Sequence, residues 1–171
     1  MIVCVDLDYF YPNNNSKFDY CIEENFYKQD NEFVDYNKLK YIKHIIKNKK
    51  IILLDTHDEI LSYINKNDVV VNFDFHHDIS YYKEDINNFK IFKWLEKDYK
   101  ESCWAGYAIK YLNIDYYWIG DNNSYVDSLL NKFSFKNDLT IEIKTDTIYL
   151  IRSENYINEK QFEFVWRWLF G

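Results

Sequence analysis

Three short stretches of this chain deliver side chains of the kinds that hold metal ions, each at the end of an apolar run. Residues 71–79 read Val-Asn-Phe-Asp74-Phe-His76-His77-Asp78-Ile. A β-strand sends alternate residues to one face. Asp74, His76 and Asp78 therefore converge if the chain stays extended to Asp78. Residues 2–12 read Ile-Val-Cys-Val-Asp6-Leu-Asp8-Tyr-Phe-Tyr-Pro, a second apolar run ending in two acids spaced to share a face. Residues 51–59 read Ile-Ile-Leu-Leu-Asp-Thr-His57-Asp-Glu, a third run ending just before a histidine that opens a helix-like stretch. Mixed carboxylate and imidazole donors suit a divalent ion such as Mn, Fe or Zn. Any one stretch is also what a strand running into a turn or helix cap looks like, since Asp favours both. The three together, at the C-terminal ends of strands where parallel α/β sheets build their sites, point to a metal site.

The elements that must position these residues follow from the hydrophobic pattern. Strands are predicted at about 1–7, 50–54, 69–75 and 115–119. Residues 139–143 and 147–152 also alternate, as a hairpin or as strands flanking a crossover. A helix is predicted over 33–48, with Leu39, Ile42, Ile45 and Ile46 on one face and His44 read as a surface or partly packed residue without a role in the site. Others are predicted over 57–65, 88–112 (broken near 100–102), 124–132 and 158–169, the last with Phe162, Val165, Trp166 and Leu169 inward. Residues 17–29 carry a weaker helical stripe, and 76–90 wrap over the sheet edge. Strands alternating with helices predict an α/β fold: three layers, a mainly parallel sheet with helices on both faces. At 171 residues, with no repeat, linker or composition break, residues 1–171 form a single domain.

Composition narrows the function. A net charge of −7 argues against a nucleic-acid binder held by phosphate contacts. Cys4, Cys21 and Cys103 match no zinc spacing, and an odd count fits a reducing compartment. Cys4, inside a strand, is expected to be a small core residue. The first residues lack the features of a signal peptide, and no run is long enough to span a membrane. A cytoplasmic protein with no membrane partner is expected. Abundant Asn, Ile, Lys and Tyr, with Arg only at 152 and 167, is the coding bias of an A+T-rich genome, as in a low-GC bacterium or a phage.

Asp74-Phe-His76-His77-Asp78-Ile resembles the Asp-Ala-His-x-Asp motif of the ureohydrolases, the arginase-like dinuclear manganese enzymes. Asp6-Leu-Asp8-Tyr-Phe-Tyr-Pro12 is similar to their Ser-x-Asp-x-Asp-x-x-Asp-Pro motif, and His57 to the histidine of their Gly-Gly-Asp-His motif. The likeness is nearer to a divergent branch containing the peptide arginases, which convert arginine side chains in peptides to ornithine. That branch also has Asp-x-Asp-Tyr-Phe and a histidine followed by a helix like His57-Asp-Glu-Ile-Leu. Residues 1–12 and 50–82 carry the resemblance, with a weaker likeness through Cys103-Trp-Ala to Trp118-Ile-Gly and Ile151-Arg-Ser-Glu154. There are departures. Cys4 stands where the motif has Ser and Tyr11 where it has Asp. The glycines before His57 are missing, and the Asp-x-Asp motif comes first in the chain rather than late. The chain is also much shorter than an arginase.

The resemblance implies two divalent ions, Mn2+ by preference, held by Asp6, Asp8, His57, Asp74, His76 and Asp78. Asp74 and Asp6 would lie between the ions, His57 and Asp78 would complete one, and His76 and Asp8 the other. Two such ions make water a nucleophile near neutral pH, and Asp78 could pass a proton to the leaving amine. His77 alternates to the opposite strand face; it is weighed as a core residue first and a catalytic one second. Glu154, just past a strand end, could pair with a guanidinium; Asp121 and Asn122 share that edge logic. Tyr9, Phe10, Tyr81, Tyr82 and Trp104 could wall a pocket, though each also packs well. The implied activity is metal-dependent hydrolysis of linear C–N bonds, with a peptide or small guanidino substrate. Two rivals stand beside it: a zinc deacylase, and a non-enzymatic, phage-encoded binding protein on the same scaffold.

Overall fold

The computed structural model describes residues 1–11, 34–79, 100–120, 135–136, 140–152 and 157–171. Among the described residues, six strands form one sheet: β1 (Ile2–Asp6), β2 (Lys50–Leu54), β3 (Val69–Phe73), β4 (Asp115–Ile119), β5 (Phe135–Lys136) and β6 (Thr147–Ile151). Their order is β2-β6-β1-β3-β4-β5, and every pairing is parallel. The strands are rich in β-branched residues because a parallel sheet is buried on both faces. Three α-helices are described: α1 (Tyr36–Ile46), α2 (Lys100–Tyr107) and α3 (Glu159–Phe170).

Strand alternation sorts the core into two halves. Val3, Val5, Val71, Phe73, Ile148 and Leu150 face α1 and α3, meeting Leu39, Ile42, Val165 and Leu169. Cys4, Val70, Tyr116, Trp118, Tyr149 and Ile151 face the other way, toward Trp104, Ala105 and Ala108 around α2. This is the expected three-layer α/β arrangement. Asp35 starts α1 by accepting from the N–H groups of Asn37 and Lys38 at 2.9 and 3.1 Å. Asn158 and Gln161 start α3 with a reciprocal capping box. Leu39, Ile42 and Ile46 are buried as expected, whereas Ile45, expected on the same face, is only partly buried; His44 is exposed, the first of the two placements expected for it. No helix among the described residues is long and apolar enough to cross a membrane.

Local differences from expectation have local causes. Residues 140–146 form no strand. Ile141 and Ile143 pack partly against the α1 and α3 core while Glu142 and Lys144 point to solvent. One-sided packing of an irregular segment thus produced the strand-like period. The expected helix over 57–65 is a 3-10 helix, His57–Ser62. The helix ending at 112 is α-helical to Tyr107, then widens to a π-turn over Ala108–Leu112, ending at left-handed Asn113 (φ 54°). Strand β3 stops at Phe73 instead of 75, because the Asp74 carboxylate accepts from the His76 N–H at 2.8 Å and turns the chain. The stretches at 17–29, 88–99 and 124–132, and most of 76–90, lie outside the described residues.

β1 and β3 are neighbours whose chains leave in opposite directions. After β1 the chain passes through α1, on one face, to β2; after β3 it passes through α2, on the other face, to β4. Such a switch point opens a crevice at the C-terminal edge of a parallel sheet.

Candidate metal centre

Four segments meet at that edge. β1 ends in Asp6, and the following 3-10 turn, Leu7–Phe10, presents Asp8. The turn forms because Asp6 Oδ1 accepts from the Asp8 N–H at 3.0 Å. The 3-10 helix after β2 brings in His57, and the loop after β3 brings in Asp74, His76 and Asp78. Asp6, Asp8, His57, Asp74 and Asp78 are all buried.

His57 Nδ1 lies 3.1 Å from Asp6 Oδ2, 3.2 Å from Asp74 Oδ2 and 3.0 Å from Asp78 Oδ2. One ring N–H cannot donate well to three carboxylates at once. His76 Nδ1 lies 2.9 Å from Asp8 Oδ2 and 4.0 Å from Asp74 Oδ1. The first of these is close, yet Asp8 Oδ2 has no aligned hydrogen bond, and the buried His57 Nε2 likewise has no partner. Two groups have the compactness of a metal-ligand set: Asp6–His57–Asp74, and Asp8–Asp74–His76. Asp74 belongs to both, Oδ2 facing the first and Oδ1 the second.

Burial and crowding of like charge show in the titration of these groups. Burial, then the charges of Asp78 and Asp6, push Asp74 up to about 7. Burial and Asp74 also raise Asp8. Burial alone would lower His57, but hydrogen bonds to Asp6, Asp74 and Asp78 outweigh it and hold the imidazole well above its usual range. With all four carboxylates ionised and both imidazoles charged, the cluster would carry an excess of two negative charges, which the raised values of Asp74 and Asp8 oppose. Divalent cations would offset it, and the donor set suits them. The spacing fits as well: neighbouring corners of an octahedral shell of about 2.1 Å radius lie roughly 3.0 Å apart.

Asp78 is in neither compact group and meets the first through His57 Nδ1 at 3.0 Å. His77 is in neither group and makes other contacts. It is buried, its Nδ1 accepts from the Ile79 N–H at 3.1 Å, and its ring stands edge-on to Trp118. Asp78 does not reach the site along an extended strand; it arrives through a turn, in the left-handed region at φ 50°. Glu154, Asp121, Asn122, Tyr81 and Tyr82 lie outside the described residues. Tyr9 and Phe10 pack edge-to-face on each other and, for Tyr9, on Phe73. Cys4 is a buried core residue whose thiol burial pushes upward.

Sequence reasoning missed the groups behind the acids. Asn72 Nδ2 donates to Asp74 Oδ2 and to the Tyr116 hydroxyl, each at 3.0 Å, and that hydroxyl donates to the His77 carbonyl at 3.0 Å. Trp118 Nε1 donates to the Asp74 carbonyl at 3.0 Å. Asn72 had a signal: it is the one polar residue in Val69-Val-Val-Asn72-Phe73, two before Asp74.

The fold and the cluster define a parallel α/β protein with an acid–imidazole centre at its topological switch point. Comparison with protein-family models, curated proteins and solved structures finds no match to the chain.

Proposed function

We propose that the chain holds two divalent ions, Mn2+ by preference, and uses them to hydrolyse linear C–N bonds in an arginase-like reaction. The observation that carries this reading is Asp74, buried, with one oxygen in each of two compact acid–imidazole groups. Asp6, His57, Asp74 and Asp78 would hold one ion, and Asp8, Asp74 and His76 the other. The ions would supply charge that polarises a trigonal carbon and acidifies water near neutral pH. The chain's own residues do the rest. Burial excludes bulk water, Asn72 and the His76 N–H orient the Asp74 oxygens, and Asp78 is a carboxylate able to take a proton toward the leaving amine. His76, its side chain 12% exposed, is the least covered of the six, so the second group is the one a substrate meets.

The motif likeness makes an arginine side chain in a peptide the first substrate to test, giving ornithine and urea, with the protein acting in the cytoplasm without nucleic acid or membrane. Elemental analysis of protein purified without chelator is expected to give two ions per chain; none after Mn2+ reconstitution overturns the reading. The Mn2+-loaded protein should then be offered arginine peptides, free arginine, agmatine and acetyl-lysine peptides. Urea release, with free arginine the poorer substrate, supports the proposal. Deacetylation alone moves it to a zinc deacylase. No turnover with metal bound favours the binding-protein alternative.

A further inference from the structure

Asp78 is the least conventionally placed of the six residues. It follows no strand directly, and its backbone is left-handed, a conformation Asp tolerates better than most residues but that still needs outside support. The support comes from one turn of α2. The fully buried Trp104 donates its indole N–H to Asp78 Oδ2 at 2.7 Å. The N–H groups of Ala105 and Gly106 lie 3.0 and 3.3 Å from the Asp78 carbonyl. The helix can come this close only because residue 106 has no side chain. A Cβ there would stand 1.9 Å from the Ile79 carbonyl oxygen. The other side of Trp104 matters too: its ring centre is 4.8 Å from that of His57, tilted by 33°, and it meets Tyr116 edge-on.

We propose that Trp104 is a positioning residue of the metal centre, and that the Trp104–Gly106 turn is a clamp fixing the Asp78 carboxylate and the His57 ring on the ion they share. This rests on the reading of the cluster as a metal centre. The indole N–H donates to Asp78 Oδ2, the oxygen that also lies 3.0 Å from His57 Nδ1; it is a donor, where Asp6 and Asp74 beside that nitrogen are acceptors. It therefore holds the carboxylate in place without competing as a ligand. The ring restricts rotation of the imidazole. Groups that orient ligands in this way commonly change metal affinity by about 10–100-fold when removed.

The test is Trp104→Phe, which keeps an aromatic ring and removes the donor. Mn2+ affinity is read from free Mn2+ by electron paramagnetic resonance, with circular dichroism as the measure of folding. The variant is expected to bind one ion about 10–100-fold more weakly. Leu169→Ala, on the far face of the sheet, is expected to lower the melting temperature and leave Mn2+ affinity unchanged. In an Asp78→Asn background the effect of Trp104→Phe should vanish, because the lost N–H then has no carboxylate ligand to hold and the Phe ring still packs on His57. A general packing role would instead cost the same in both backgrounds and overturn the proposal, as would unchanged affinity in either single variant. If Trp104→Phe does not fold, the wild type still decides the matter. With diamagnetic Zn2+ added, the Trp104 indole N–H resonance should shift; no shift with Zn2+ bound overturns the clamp. A wild-type chain that binds no ion overturns the metal centre itself and the clamp with it, which separates the two failures.

Discussion

Asp74 is where the two halves of the centre meet, and its surroundings set the consequences of changing it. Its carboxylate is buried among two other acids and pushed up to about 7, so a neutral side chain of the same shape relieves like-charge crowding. Asp74→Asn is therefore expected to lose both ions while raising the melting temperature of the chelator-treated protein at pH 8. Metal analysis and calorimetry check the two halves separately; a variant that keeps both ions places Asp74 outside the centre. His76→Ala gives the contrast. His76 lies 2.9 Å from Asp8 but belongs to only one group, so that variant should keep one ion and lose the other. Asn72→Leu belongs to the same set. It removes the donor to Asp74 while the Tyr116 hydroxyl keeps its bond to the His77 carbonyl. Metal affinity should fall by about 10–100-fold, with the sheet unchanged by circular dichroism.

At the level of elements, the work is divided between ends that place chemistry and caps that only hold helices. Asn158 caps α3 and belongs to neither acid–imidazole group. Asn158→Ala should cost about 1 kcal/mol, seen as a lower melting temperature with Mn2+ binding unaltered; a parallel loss of binding would show that α3 shapes the centre. The strand ends were legible because apolar, β-branched runs stop abruptly at acids, and β2 and β4 begin and end where the pattern puts them. The alternation at 140–146 misled because period two reports one-sided burial and not a hydrogen-bonded ladder. The turn after Phe73 was hidden for a different reason. Asp74 serves both as a strand-end acid and as the acceptor that bends its own chain, and spacing alone cannot tell an extended Asp-x-His-x-Asp from a turned one. The indole of Trp104 was illegible in its role, since a buried tryptophan in a chain with 20% aromatics reads as packing.

At the scale of the whole molecule, protons and, on the two-ion proposal, metal would act on stability in opposite senses. In the metal-free fold Asp74 titrates at about 7 against an ordinary value of 3.8, and Asp8 and His57 are shifted the same way. A raised value means that the fold binds the proton more tightly than the unfolded chain does. The contribution of Asp74 is thus complete below about pH 4 and declines as pH rises through about 7. That of His57 is present below its usual 6.5 and is lost only at higher pH, as its raised value is passed. With chelator present, the melting temperature should accordingly fall between pH 5 and pH 8. Metal ligation needs the same groups deprotonated, so affinity for a divalent ion rises over that range. An ion at 100 times its dissociation constant adds about 2.7 kcal/mol to the folded state, which for a chain of this size is roughly 5–10 °C. Thermal scans with Mn2+ should therefore show a flattened or rising profile from pH 5 to pH 8, crossing the falling profile of the chelated protein. Parallel profiles with and without Mn2+ would mean that the ion does not compete for these protons, and would place it outside the crevice between β1 and β3.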